Sequence, residues 1–136
     1  MSLFSVFDIS GSALSAQSIR LNTISSNLAN MDTVGSTPDE AYKARYPIFS
    51  TLFSQEMKDA SAGVRVDSII ESPMPPQREH NPNHPQADEN GYIYSAGINS
   101  IDEMANMMSA SRAYQSNIEV MNTTKQMLQQ TLNIGR

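Results

Sequence analysis

The chain has 136 residues, a formal net charge of -5 and 39% hydrophobic residues. That is enough apolar material for one small domain, and too acidic a balance to hold a phosphate backbone, so nucleic acid is excluded as a partner. Cysteine is absent, which excludes disulfides, thiolate nucleophiles and cysteine-ligated zinc or iron-sulfur sites while leaving the redox compartment open.

The opening "MSLFSVFDISGSALSAQ" has the apolar look of a signal peptide. No Lys or Arg precedes Arg20, however, and Asp8 interrupts the run, so a cleaved Sec-type signal is not expected. No apolar stretch is long enough to span a bilayer, and direct membrane insertion is not expected either. Leu3, Phe7, Leu14, Leu21, Ile24, Leu28 and Met31 fall on the a and d positions of one heptad register, which predicts an N-terminal helix with one apolar seam. Ser10 and Gln17 interrupt that seam, and Gly11 loosens or kinks the first turns.

The centre is of another kind. "YKARYPIF" reads as extended up to Pro47, "GVRVDSII" as a short strand, and "GYIY" as another, introduced by the Asn90-Gly91 turn signal. Between them "SPMPPQREHNPNHPQADEN" carries five prolines, which predict a semi-rigid extended loop. His80 and His84 stand four apart with Glu79, Asp88 and Glu89 nearby, but Pro82 and Pro85 remove the helix that would make them a metal pair. No G-x-S-x-G elbow singles out a serine, and no glycine-rich phosphate loop is present. Neither enzymatic chemistry nor a cofactor is expected, although a small metal-dependent enzyme stays open as a rival.

The last segment opens with "NSIDEM", where Ser100 and Glu103 have capping-box spacing and Asp102 with Glu103 complements the helix N-terminus. Met107, Tyr114, Met121 and Leu128 then form one row, and Met104, Ser111, Ile118 and Leu132 the neighbouring one, with Lys125 as an interruption and Gly135 as the stop. At ~1.5 Å per residue such a helix is about 50 Å long, more than a small core covers. Both helices are nearly free of charge: only Arg20 and Asp32 occur from Ile9 to Val34, and only Arg112, Glu119 and Lys125 from Met104 to Gly135. Ser, Thr, Asn, Gln and Ala faces pack closely without the desolvation cost of an unpaired charge, which suits helices surrounded by other subunits. A plain intramolecular helical hairpin, or a soluble helical adaptor, is the competing reading.

The expected fold class is mainly α, an antiparallel coiled coil of long N- and C-terminal helices around a central extended or short-β segment. The expected segments are an N-terminal axial helix (1–34), a central segment with the Pro-rich loop (35–99) and a C-terminal axial helix (100–136), the two helices forming one domain.

"SALSAQSIRLNTISSNLANMDT" resembles the N-terminal signature of bacterial flagellar axial proteins, the rod and hook family: Leu14, Gln17, Asn27, Leu28, Ala29, Asn30 and Thr33 occupy its pattern. "NPNHPQADENGYIYSAGINSIDEMANMMSASRAYQSN" resembles the same family's proximal rod subunits through His84, Pro85, Ala87, Asp88, Gly91, Tyr92, Asn99, Glu103, Met104, Ser111, Arg112 and Tyr114. The likeness runs end to end. It departs after Gly35, where "STPDEAYKARYP" intervenes before the aromatic that many axial proteins place directly. The resemblance implies a self-assembling, torque-bearing rod subunit, exported without cleavage by the flagellar type III apparatus and placed in the periplasmic basal body. It also implies partners among copies of itself and FlgB-, FlgF- and FlgG-like rod subunits. Another proximal subunit, FlgB-like, is the alternative within the family.

Overall fold

The computed structural model describes residues 3–53 and 62–134. Two helices, α1 (Leu3–Ala29) and α2 (Ser100–Ile134), enclose in sequence the strands β1 (Val34–Gly35), β2 (Arg45–Phe53), β3 (Ala62–Glu71), β4 (Gln77–His80) and β5 (Tyr92–Ser95). The strands form two antiparallel sheets, a β2-β3 ribbon and a three-stranded sheet in the order β1-β5-β4. This corrects the expected mainly α coiled-coil fold: the chain is mixed α/β, and its helix pair is one layer of that fold.

The helices pair antiparallel. Asn27 near the end of α1 reaches Glu103 in the first turn of α2, while Arg20 reaches Asn106 one turn further along. At that offset the last turns of α2, roughly seven residues, run beyond the start of α1. Leu132 there is 73% exposed. α1 is continuous through Gly11, where a Cβ would have open space. The expected seam position Leu3 and the expected stop Gly135 lie outside the residues whose side chains are described.

The ribbon lies along α1. Arg45 at its base meets Asn27, and Val64, paired with Thr51, meets Ser12. From Ser12 to Asn27 the helix rises ~22 Å, and from Arg45 to Thr51 the strand rises ~20 Å, so the two run side by side in step. Gly63 permits this closeness, since a Cβ there would stand 2.9 Å from Ser12 Oγ. The strand continues through Pro47, expected as its end, and the register slips between Ile48 and Phe49. A two-stranded ribbon tolerates a proline because each strand has one edge without a sheet partner.

β4 falls inside the stretch expected to be an extended loop. It pairs with β5 from Gln77↔Ser95 to His80↔Tyr92, while β1 covers the other edge of β5. The core is small: Ala16, Ile24, Ala41, Ala44, Ile93 and Ala110 are its buried apolar residues among those described.

Candidate assembly interface

The buried positions of α2 are Glu103, Ala110 and Thr124, and Met107, Tyr114, Asn117, Met121 and Leu128 are half-buried. Together they step along the helix by alternating fours and threes, the a/d spacing of a two-helix seam. Among the described elements α2 packs only on α1. Met107, Tyr114, Met121 and Leu128, expected as one row, lie on this α1-facing side of the single chain. Its second row is Glu103, Ala110, Asn117 and Thr124, not Met104, Ser111, Ile118 and Leu132. Met104 (49%), Ile118 (39%) and Leu132 (73%) are exposed in the single chain, and Ser111 is half-buried.

On α1, Phe7, Leu14, Leu21 and Leu28 are half-buried, as is Met31 in the turn just past its end, while the buried places go to Asn27, Ala16, Ser5, Ser10, Ile24 and Thr23, of which only Ile24 is large and apolar. Buried hydroxyls need partners. Thr23 donates to Ile19 O and Thr124 to Val120 O, each within its own helix.

Asn27 is the junction of three elements and is fully buried. Its Nδ2 donates to the Arg45 carbonyl (2.9 Å) and to Glu103 Oε2 (3.3 Å), and its Oδ1 accepts from the Arg45 N–H (2.9 Å) and the Tyr42 hydroxyl (3.0 Å). All four hydrogen-bonding positions of the carboxamide are filled. Toward Arg45 it behaves as a neighbouring strand would, offering one donor and one acceptor to one residue's backbone. Tyr42 also meets Ser26 Oγ at 3.2 Å, which fixes the segment between β1 and β2 onto the end of α1. Asn30 Nδ2 returns to Ser26 O and Thr33 Oγ1 to Asn30 O, so the Asn-rich end satisfies its last carbonyls with its own side chains. Ala29 is exposed.

Glu103 is 3% exposed. Its side chain serves the junction, and the cap belongs to Asn99, whose Oδ1 accepts the Ile101 N–H at 3.0 Å. This corrects the expected Ser100–Glu103 capping box by one residue. Between the helices and β2 lies a cleft of about 290 Å³, lined by Arg20, Ile24, Tyr46, Phe49, Glu103 and Asn106 among others. Burial, then the Glu103 and Asp102 charges, push the Tyr46 phenol above its ordinary range.

The loop into β5 is built on Asp88. Its Oδ1 accepts the N–H groups of Asn90 and Tyr92, each at 2.8 Å, and its Oδ2 accepts the Tyr94 hydroxyl at 3.4 Å. The Tyr92 N–H holds its carboxyl below the usual range against the opposing effect of burial, helped by Asn90, Tyr94 and Arg78. Gly91 has φ +77°, a conformation open to glycine. Tyr92 is clasped by the Arg78 guanidinium, 3.9 Å from its ring centroid, and by the edge of His80 at 4.9 Å. His84 Nδ1 accepts the Gln86 N–H, Pro85 and Arg112 are exposed, and Gln17 is half-buried. Both histidines thus take part in local packing and turn geometry.

Large apolar side chains remain uncovered. On α2, Ile101, Met104, Met108, Ile118, Val120 and Met127 are exposed, and on the ribbon Tyr46, Ile48, Phe49, Leu52, Ile69 and Ile70 are 39–51% exposed. A chain that fills the deepest places of its helix pair mostly with small and polar groups, leaves the larger seam residues half-buried and turns further large apolar groups outward is a structural subunit made to pack against other chains.

The comparisons give that class its family. The family described as Flagella basal body rod protein matches residues 7–36, and that described as Flagellar basal body rod FlgEFG protein C-terminal matches residues 89–134. Relatives named flagellar basal-body rod protein FlgC are 46% identical in Salmonella typhimurium and 43% in Escherichia coli O6:H1, each over 136 residues and the whole of both chains. The Buchnera aphidicola (Acyrthosiphon pisum) relative of that name is 43% identical over 99% of both. The chain belongs to the flagellar basal-body rod protein family, and it is a structural rod subunit.

Proposed function

We propose that this rod subunit occupies the proximal part of the drive-shaft, in the periplasm, with no catalytic role. It builds the rod by packing α1 and α2 among the helices of neighbouring subunits, and so carries torque toward the hook. The observation that carries this reading is the distribution of apolar surface: the outer side of a nearly uncharged 35-residue helix exposes Ile101, Met104, Met108, Ile118, Met127 and Leu132. In water each is a cost that burial against a second helix removes.

The division of labour follows the three segments. Residues 1–34 and 100–136 form the axial unit, with Phe7, Leu14, Leu21, Ile24 and Leu28 facing Met107, Tyr114, Met121 and Leu128, and Met31 turning toward the outer sheet beside Gln77 and Ser95. Met104, Ile118 and Leu132 face neighbours. Residues 35–99 form the outer unit, and the β2-β3 ribbon joins the two. Gln17, Asn27 to Asn30, the His84–Tyr92 loop, Asn99, Glu103 and Arg112 fix how these parts meet. The partners are other copies and FlgB-, FlgF- and FlgG-like subunits, reached after export by the type III apparatus without cleavage. The full-length match to FlgC relatives favours this over a FlgB-like place.

The test is quantitative mass spectrometry of purified hook-basal bodies against cytosolic controls. Enrichment with other rod proteins, with the initiating segment intact, is the expected result. A protein abundant in the soluble fraction and missing from intact basal bodies would overturn the assignment.

A further inference from the structure

Asn90–Gly91 is the one Asn-Gly pair in the chain, and Asn90 is exposed. Asparagine is thermally labile where the next residue's nitrogen can reach its side chain, and glycine, without a Cβ, hinders that approach least. In this fold the nitrogen is engaged. Gly91 N–H donates to Asp88 O at 2.9 Å, the peptide before it donates to Asp88 Oδ1 at 2.8 Å, and the Gly91 carbonyl accepts from Asn81 N–H at 2.8 Å. Tyr92 N–H closes the other side on Asp88 Oδ1.

We propose that Asn90 is a deamidation site gated by the Asp88 turn, reacting only when that turn opens. In the reaction, base removes the Gly91 amide proton and the nitrogen attacks Asn90 Cγ. The bond to the side-chain nitrogen breaks, ammonia leaves, and a five-membered succinimide remains. Water then opens one of its two carbonyls, giving aspartate, or isoaspartate with the main chain rerouted through Cβ. A nitrogen donating its hydrogen to Asp88 O does not present a nucleophile to Cγ, so the 2.9 Å bond must break first. The isoaspartyl product cannot return to the original turn. Its extra backbone atom separates residue 90 from Gly91, so the Asn81–Gly91 and Asp88–Tyr92 bonds no longer fit together, and the new carboxylate faces Asp88 and Glu89. Modification therefore unlocks the loop that seats Tyr92 between Arg78 and His80.

The proposal stands apart from the rod assignment and is tested on the purified full chain. Native and guanidinium-unfolded protein are incubated at mildly alkaline pH and mapped by mass spectrometry for aspartate and isoaspartate at position 90, with Asn99–Ser100 as the internal reference. Native protein is expected to react roughly tenfold or more slowly than unfolded protein at Asn90. D88A, which removes the side-chain acceptor, should close most of that gap. D88N, which keeps an Oδ1 acceptor, should not. Equal rates in native and unfolded protein, or a D88A rate equal to the native one, would overturn the gate. A D88A rise at Asn99 in step with Asn90 would overturn it too, by assigning the protection to the fold as a whole.

Discussion

Replacing Asn27 by alanine tests the junction most directly. The substitution deletes four hydrogen bonds from a residue with no exposed surface and strands three groups: the backbone N–H and C=O of Arg45 and the carboxylate of Glu103, itself 3% exposed. Net values of about 1 kcal/mol per neutral bond and ~1.5–3 kcal/mol for one to a charged group would sum to roughly 5 kcal/mol if independent. They share one side chain, and water entering the vacated space recovers part, so a loss of about 3–4 kcal/mol is expected. That is a large share of a small domain's stability of ~5–15 kcal/mol. Urea unfolding followed by far-UV circular dichroism measures it as a fall in the midpoint. The cycle with Glu103→Ala isolates the reason: once the buried carboxylate is gone, Asn27→Ala should cost at least ~1 kcal/mol less. A single-variant loss below ~1 kcal/mol, or strict additivity in the cycle, would refute the view that this carboxamide holds α1, β2 and α2 together.

Tyr42→Phe removes one donor to Asn27 Oδ1 and the contact with Ser26 while keeping the ring, so a loss of about 1 kcal/mol in the same assay is expected. Leu21→Asp and Met121→Lys put charges on half-buried seam positions. Each should cost several kcal/mol on the order of ~3 and abolish swarming on soft agar, and normal motility in either would count against the seam. Met104→Ser with Met108→Ser touches exposed side chains. The urea midpoint should hold within about 0.5 kcal/mol while incorporation into basal bodies falls. Asp88 has a lowered folded pKa, so its contribution is present above the unfolded carboxylate value and lost as pH falls through the folded one. Hydrogen exchange at Asn90 and Tyr92 should accelerate on that acid side alone, and D88N should flatten the response. Tyr46 has a raised pKa, so its contribution is complete below the ordinary phenol value and lost as pH climbs through the raised one, which an alkaline melt of Tyr46→Phe would no longer show.

The sequence announced α2 well because period, acidic first turn and length all agree with Ser100–Ile134. It did not single out the second row that faces α1 within the chain, Glu103, Ala110, Asn117 and Thr124, because hydrophobic periodicity counts only large apolar residues. Two helices that approach closely prefer small side chains and a satisfied polar pair, and neither leaves a hydropathy signal. The capping offset has a similar origin: Asn99 and Ser100 are both good caps, and Glu103 suited the box while its partner was Asn27, 76 residues away. The ribbon was legible as two extended pieces. Their pairing was not, since it depends on Asn27 and Ser12 docking β2 and β3 on α1. The Pro-rich stretch hid β4 for the opposite reason: the prolines end at Pro76, before Gln77–His80, and resume at Pro82, just after it. Asp88, named only as part of a pattern, proved to be the acceptor around which the following loop closes.

The inverted arrangement of this chain has an energetic consequence for assembly. A seam whose deepest α2 positions are Glu103, Ala110 and Thr124, with Met107, Tyr114, Met121 and Leu128 only half-buried, buries little area per turn, so the helix pair by itself is held weakly at ~25 cal/mol per Å². Its orientation rests on a few directional contacts, chiefly Asn27 with Glu103 and Arg20 with Asn106. The larger apolar groups become useful only when another chain covers Ile101, Met104, Met108 and the ribbon's Ile69 and Ile70. Binding that is available to the folded form alone stabilises it by mass action. The free subunit is then the less stable state and the assembled rod the more stable one, with the polar junction setting geometry and the outer surface supplying free energy. On this account Asn27→Ala should lower free-chain stability more than assembled-rod stability, whereas Met104→Ser with Met108→Ser should do the reverse. Urea dissociation of isolated basal bodies beside unfolding of the free chain separates the two, and equal shifts in both measurements for either variant would contradict it.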